Sequence, residues 1–317
     1  MKKIYGKYYP EIRKEVNQDH KWTLNPNSKY NLIGKEWNSI IKTNKLGFRG
    51  PINKNGTLFL GDSFTASIRI NYDKTYPALY SSETNQKTSI MAAGGWSTIE
   101  EYYALKNFFD HYNPQKVILV IYLQNDVWEN AIRHNILKNR LGLKGLFPKS
   151  PTGTKFIHEG LIKIKGFRNL MKKLGTFNPL EQFSVYKKKY DKQIKFGWKI
   201  TKEKILQIKN FLEKKDTHFK IISMPSPWQA LKIWKEDLYS YRDFSRIRNK
   251  NELKSYNLKW KKPEKIIKKF SENHNIDLIT LFKEIETRED VEELYFNTVD
   301  HFTKKGHKFI SNLLIEN

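Results

Sequence analysis

The chain has 317 residues, 38% of them hydrophobic, 14% aromatic and none cysteine, which permits a large buried core and excludes disulfides, thiolate metal sites and cysteine nucleophiles. Fifty-eight Lys and Arg against 33 Asp and Glu leave a net charge of +25, a field that draws polyanions such as nucleic acid, anionic lipid or acidic polysaccharide but specifies no chemistry. No run approaches the roughly 18 consecutive apolar residues of a membrane span, and no apolar stretch of signal-peptide kind follows Met1-Lys2-Lys3, so a soluble chain without an export leader, cytoplasmic by default, is expected.

Residues 1–50 are polar, rich in aromatics and poorly periodic, and are expected to form an N-terminal extension that wraps the core as strands or extended chain. From 51 to 317 the pattern changes. Five short apolar runs, at 58–60, 89–93, 117–123, 219–224 and 276–279, alternate with longer segments of helical spacing. Strands alternating with helices predict a three-layer α/β/α fold with a five-stranded parallel sheet. The run Val117-Ile118-Leu119-Val120-Ile121 is uninterrupted and mostly β-branched, which suits a central strand buried on both sides. Between runs, 99–112 sets Tyr102, Tyr103, Leu105, Phe108 and Phe109 on one face, and 202–215 does the same with Ile205, Ile208, Phe211 and Leu212; both read as amphipathic packing helices. A lysine-rich insertion at about 130–200, with Pro148, Pro151, Gly153 and Pro179, is too long for a βα connection and suits a small lid or helical subdomain. A further excursion follows the fourth run at 225–262, beginning Pro225-Ser226-Pro227-Trp228.

Ligands of open parallel sheets bind at the carboxyl ends of the strands, so the residues just past each run are the informative ones. Gly61-Asp62-Ser63-Phe64 follows the first. Gly61 permits a sharp turn, and Ser63 arrives where unpaired helix N–H groups favour developing negative charge. Taken alone, Asp-Ser is equally a plain helix cap. Past the second run stand Gly94-Gly95-Trp96-Ser97-Thr98, past the third Gln124-Asn125-Asp126, and Asp300-His301 precedes the last helix. A hydroxyl, a histidine to take its proton and fixed donors for an oxyanion are the parts that acyl transfer needs. Ser63 N–H, Gly95 N–H and the Asn125 side-chain amide are candidate donors. Asp62 and Asp126 read as local structural residues. His20, His111, His134, His158, His218, His274 and His307 show no metal-ligand spacing, so no metal and no cofactor are expected.

With these blocks in order, the chain resembles the SGNH, or GDSL, hydrolase superfamily, with its flavodoxin-like fold. The resemblance covers most of the chain and looks closest to bacterial members in which Asn-x-x-Gly-Phe-Arg-Gly precedes the serine block, here Asn44-Lys45-Leu46-Gly47-Phe48-Arg49-Gly50. Thr75-Tyr76-Pro77, Gly95-Trp96-Ser97-Thr98 and Asn125-Asp126 follow in that family's order, and His301 stands five residues before Gly306. The resemblance implies Ser63 as nucleophile, Gly95 and Asn125 as oxyanion-hole residues and His301 as general base. Two departures stand out. The family's Asp two or three residues before the histidine is replaced by Val299 and Thr298, with Asp300 directly adjacent to His301. Either a turned loop lets Asp300 orient the imidazole, or a backbone carbonyl does so and a Ser-His dyad remains. The Gly of the third block is Leu123 or Gln124, depending on alignment.

The implied activity is that of a serine esterase, or of an O-acyltransferase with the same residues, acting on a carboxylic ester. O-acetyl on a carbohydrate is the substrate class the resemblance favours, and the positive charge suits an acidic glycan; a lipid or other acyl ester is the alternative. Trp96, Trp128 and Trp228 fall near strand ends, where indoles either stack on substrate or pack. A catalytically weak glycan- or polyanion-binding module on the same scaffold is the second reading. Specific nucleic-acid binding has only the charge in its favour, with no zinc-finger, RNA-recognition or basic-zipper signature.

Overall fold

A computed structural model describes residues 2–5, 12–16, 22–135, 179–230 and 257–317. Strands β6 (Thr57–Gly61), β7 (Thr88–Ala92), β8 (Lys116–Tyr122), β9 (His218–Met224) and β10 (Asp277–Thr280) form one five-stranded sheet in the order β10-β9-β8-β6-β7. Every neighbouring pair is parallel. The continuous apolar run at 117–121 becomes β8, the middle strand, as its burial on both faces requires.

The helices are α1 (Ser63–Ala66), α2 (Tyr76–Thr84), α3 (Thr98–Tyr112), α4 (Leu123–Asn135), α5 (Lys192–Glu213), α6 (Pro227–Ala230), α7 (Lys262–Asn273), α8 (Leu281–Glu286), α9 (Val291–Leu294) and α10 (Lys304–Glu316). Because strand side chains alternate between faces, β8 divides cleanly. Val117, Leu119 and Ile121 enter a core with residues of α3, α4, α5 and α7. Ile118, Val120 and Tyr122 enter a second core with residues of α1, α2, α8, α9 and α10. Each fully buried Leu, Ile or Phe side chain contributes roughly 1.5–3 kcal/mol to holding these layers together.

Two helices differ from the sequence expectation. On α3, Tyr102, Tyr103 and Phe108 are only half-buried, whereas Glu100 and Glu101 are wholly buried. Glu100 is drawn in by capping: its carboxylate accepts from Ser97 N at 2.9 Å and Ser97 Oγ at 2.7 Å, so its charge meets two helix-start donors. The helix expected at 202–215 begins at Lys192, inside the stretch assigned to the insertion. Asp191 caps it, accepting from Ile194 N at 2.9 Å. Most of the lysine-rich insertion and of the excursion after β9 lies outside the described residues.

The N-terminal extension contributes β1 (Lys2–Tyr5), β2 (Arg13–Glu15), β3 (Trp22–Leu24), β4 (Lys29–Ile33) and β5 (Asn38–Lys42). They form a three-stranded sheet, β1-β4-β5, and a β2-β3 pair. Their apolar residues Ile4, Ile12, Leu24, Leu32, Trp37 and Ile41 share a core with Phe296 and Val299, just before His301. No helix among the described residues is long and apolar enough to cross a membrane.

Candidate functional site

Register brings the first three blocks to one edge. Gly61, the last residue of β6, is paired with Ala92 in β7 on one side and Val120 in β8 on the other. The chain crosses from β7 over β6 to β8, so Ser63 leaves the sheet at the point where the strand order reverses. Gly61 does not have a left-handed backbone. It is needed for close approach, since a Cβ there would stand 2.3 Å from Thr65 Oγ1 and 3.0 Å from Val120 O.

Helix α1 is one turn long and is held at both ends. Asp62 Oδ1 accepts from Phe64 N at 2.8 Å at its start. At its end the buried Arg49 donates from Nη1 to Ala66 O at 2.9 Å and Ser67 O at 2.5 Å, and from Nη2 to Ile70 O at 2.9 Å. A cation among carbonyls that a helix leaves unpaired is favourable, although burial lowers the guanidinium pKa to about 10. The Asn44-to-Gly50 block is the loop that delivers this arginine. Asn44 Oδ1 accepts from Leu46 N and Phe48 N, and its Nδ2 donates to Gly50 O.

Around Ser63, Gly94 lies so close that a Cβ on it would touch Ser63 Cβ at 3.7 Å. Gly95 takes the left-handed conformation, with φ +79, which glycine adopts without steric cost. Asn125 lies in the first turn of α4, directly after β8. Gln124, the alternative third-block position, is buried and accepts from Tyr186 Oη at 3.0 Å.

The tail of the chain joins this edge through Phe64. Its ring stacks on the His301 imidazole, with centroids 4.7 Å apart at 14°, and lies 4.2 Å from the Tyr122 ring. The loop before His301 is bent, and this lets adjacent residues cooperate. Asp300 Oδ1 stands 3.0 Å from His301 Nδ1, close enough for charge attraction but not aligned as a hydrogen bond. Asp300 Oδ2 accepts from Tyr122 Oη at 3.1 Å. His301 Nε2 is buried without a hydrogen-bond partner. Ser63 Oγ donates to Asp62 Oδ2 at 3.4 Å, so the serine hydroxyl and the imidazole are not hydrogen-bonded to each other.

Exposure separates these residues from their surroundings. Ser63, Gly94, Gly95, Asn125, Asp300 and His301 are half-buried, whereas Asp62, Phe64, Ala93, Trp96, Gln124, Asp126, Val299 and Phe302 beside them in sequence are buried.

Electrostatics set the protonation states. Burial and the Arg69 charge lower the His301 pKa, opposed by Asp300, so the imidazole is neutral at pH 7. Burial raises Asp300, but His301, Arg69 and Tyr122 outweigh it and hold the carboxyl below its ordinary value. Asp62 goes the other way. Burial, reinforced by Asp300, raises it to about 7 against hydrogen bonds from Phe64 and Ser63. Asp126 is also raised, by burial and by the charges of Glu101 and Asp62, and its Oδ2 accepts from Tyr122 N at 2.9 Å.

Of the two roles open to the tryptophans, Trp96 and Trp228 take packing. Trp96 is completely buried with Nε1 donating to Trp22 O at 2.9 Å, and Trp228 is packed against Phe183. Trp128 is half-buried against the core. Three residues with structural roles at this edge carry no assigned role in the sequence reading: Arg49 under α1, which stands in the quoted Asn44–Gly50 block, Tyr122 on Asp300, and Glu36 of the extension. Glu36 accepts from Asn297 N at 2.8 Å and Thr298 N at 2.7 Å, and from the side chains of both residues. Among the described residues no group of three or more acidic or histidine side chains could hold a metal ion.

No protein-family model matches the chain, and no curated protein does. Among solved structures, the acetyl xylan esterase AlAXEase is 16% identical, with 82% of this chain and 98% of that chain covered and a TM-score of 0.43. The psychrotrophic esterase EstA from Pseudoalteromonas sp. is 14% identical, with 83% and 96% covered and a TM-score of 0.42. The lipase/acylhydrolase from Enterococcus faecalis is 11% identical, with 83% and 94% covered and a TM-score of 0.42. These likenesses are loose, and the site itself must carry the chemistry.

Proposed function

We propose that the protein is a serine esterase of the SGNH type, with Ser63 as nucleophile and His301 as general base. The observation that supports this reading is the stacking of the His301 imidazole on the ring of Phe64, the residue next to the half-buried Ser63. Ser63 Oγ turns from Asp62 toward His301 Nε2, gives up its proton there and attacks the ester carbonyl carbon. The C–O double bond opens to an oxyanion, received by the N–H groups of Ser63 and Gly95 and by the Asn125 amide. As the tetrahedral species collapses, the alkoxide leaves and takes the proton from His301. Water, or a second alcohol in a transferase, then attacks the acyl-enzyme by the same steps in reverse. Asp300 stabilises the imidazolium by its charge, and Tyr122 holds the carboxylate in place. The chemistry calls on no cofactor.

The substrate in this reading is a carboxylic ester, with O-acetyl on a carbohydrate as the preferred class. The support is the sequence resemblance together with the positive field of the chain. A chromogenic aryl acetate tests the reaction. Ser63→Ala is expected to abolish turnover, and Asn125→Ala to cost about 10² to 10³ in kcat for one lost oxyanion donor. A Ser63→Ala variant as fast as the parent would end the proposal.

A further inference from the structure

A buried hydrogen-bond hub stands behind the third block. Tyr186 ends the short 3-10 helix Pro179–Tyr186 and is wholly buried. Its hydroxyl oxygen lies 3.0 Å from Gln124 Oε1, 2.9 Å from Ser226 Oγ and 3.1 Å from Gln229 Oε1. One phenol proton can serve only one of the two amide oxygens. Gln229 is fixed at both ends of its amide, with Oε1 accepting from Ser226 N at 2.9 Å and Nε2 donating to Trp260 O at 3.0 Å. The phenol proton therefore goes to Gln124, and Ser226 Oγ donates to Tyr186 Oη. Burial pushes the Tyr186 hydroxyl well above its ordinary pKa, so it stays a donor.

The tyrosine is itself held in place. Lys259 N donates to Tyr186 O at 2.6 Å, and the Trp260 ring lies 4.8 Å from the Tyr186 ring. Tyr186 stands 62 positions beyond Gln124, so the far part of the insertion returns to support the strand end from which it departs.

Asn125 sits between two anchored neighbours. Gln124 before it is tied to Tyr186, and Asp126 after it accepts from Tyr122 N at 2.9 Å. Both neighbours are buried, whereas Asn125 is half-buried. Anchors on either side fix the backbone of the first turn of α4, and with it the direction in which the Asn125 amide leaves the chain. An oxyanion donor is effective only when its place is set before charge develops.

We propose that Tyr186 is a positioning residue for the reaction, which acts through Gln124 to hold the first turn of α4 so that the Asn125 amide meets the oxyanion. This rests on the esterase reading and deepens it. Neither Tyr186 nor Gln124 touches the reacting atoms in this account; their effect passes through Asn125.

A double-mutant cycle on aryl acetate hydrolysis tests this. Tyr186→Phe keeps the ring and removes the hydroxyl. It is expected to lower kcat about tenfold and to change KM less than about twofold, because the oxyanion develops only on the way to the transition state. Gln124→Met removes the other partner of the same bond and is expected to give the same loss, with the two substitutions together costing no more than either alone. In an Asn125→Ala background, Tyr186→Phe is expected to cost less than about twofold. The full loss in that background would overturn the proposal, as would a loss confined to KM or a kcat unmoved by Tyr186→Phe. A second measurement needs no turnover. The side-chain amide signals of Asn125, identified in nitrogen–proton correlation spectra as those missing from Asn125→Ala, are expected to shift in Tyr186→Phe. Unmoved signals would overturn the proposal. Absence of turnover by the parent would count against the esterase reading alone, because the amide signals report the position of Asn125 without any reaction.

Discussion

The carboxylate of Glu36 accepts hydrogen bonds from both the backbone N–H and the hydroxyl of Thr298, three residues before His301. With the two bonds from Asn297, one side chain of the N-terminal extension ties down the loop that carries the imidazole. Burial disfavours the charged form of Glu36, but these hydrogen bonds outweigh it and lower the pKa. Glu36→Ala is expected to leave the sheet intact and release the loop. The measurable result is a loss in urea-determined stability of about 1–3 kcal/mol and a kcat/KM for aryl acetate lower by about 10- to 100-fold. An unchanged kcat/KM would show that the loop holds its place without the latch.

The acid limb of the pH–rate profile should report His301. Burial and Arg69 depress its pKa, and only the neutral imidazole takes the serine proton. Turnover is therefore expected to rise with pH through a midpoint below 6.5 and to level off by neutrality. Arg69→Gln removes a positive charge that opposes protonation, so the midpoint should move to higher pH. A shift in the opposite direction would contradict the charge assignment.

Asp62 carries the opposite signature. Its pKa is raised by burial to about 7, whereas an unfolded chain releases that proton near pH 4. The folded state binds the extra proton between those values, so its contribution to stability falls as pH rises across that window and is constant above it. Asp62→Asn keeps an acceptor for Phe64 N and removes the charge. Relative to the parent, it should gain up to about 4 kcal/mol at pH 8 and nothing at pH 4. Equal stabilities at pH 8 in urea titrations would refute this.

Asp300 and Tyr122 should act in series. Asp300→Asn removes the negative charge beside the imidazole, and losses of up to about 10⁴ in kcat are known for such a change in a triad. Tyr122→Phe removes one hydrogen bond from the same carboxylate, with an expected cost of about tenfold. If Asp300→Asn costs less than threefold, the pair works as a Ser-His dyad.

The five strands were legible because burial on both faces demands continuous apolar, β-branched runs, and 117–121 is such a run. That Ser63, Gly95 and Asn125 stand just past the ends of β6, β7 and β8 followed from where those runs end. The role of Asp300 was not legible, because consecutive side chains diverge in extended backbone and only the bend before His301 brings Oδ1 within 3.0 Å of Nδ1. Nor was the bond between Glu36 and Thr298, which spans 262 positions in sequence. Arg49 stood in a recognised block, yet its task of gathering three carbonyls after α1 depends on a fold that a linear pattern does not contain. Glu100 of α3 escaped notice for a related reason, since helical periodicity registers apolar faces and misses a carboxylate that caps its own helix.

The central claim is that Ser63 is activated by His301. A fluorophosphonate probe followed by peptide mass spectrometry measures this without any knowledge of the natural substrate. A single adduct on Ser63, formed at a rate that falls steeply in His301→Ala, is the expected result. Labelling at another residue, or at Ser63 with equal speed in His301→Ala, would contradict it.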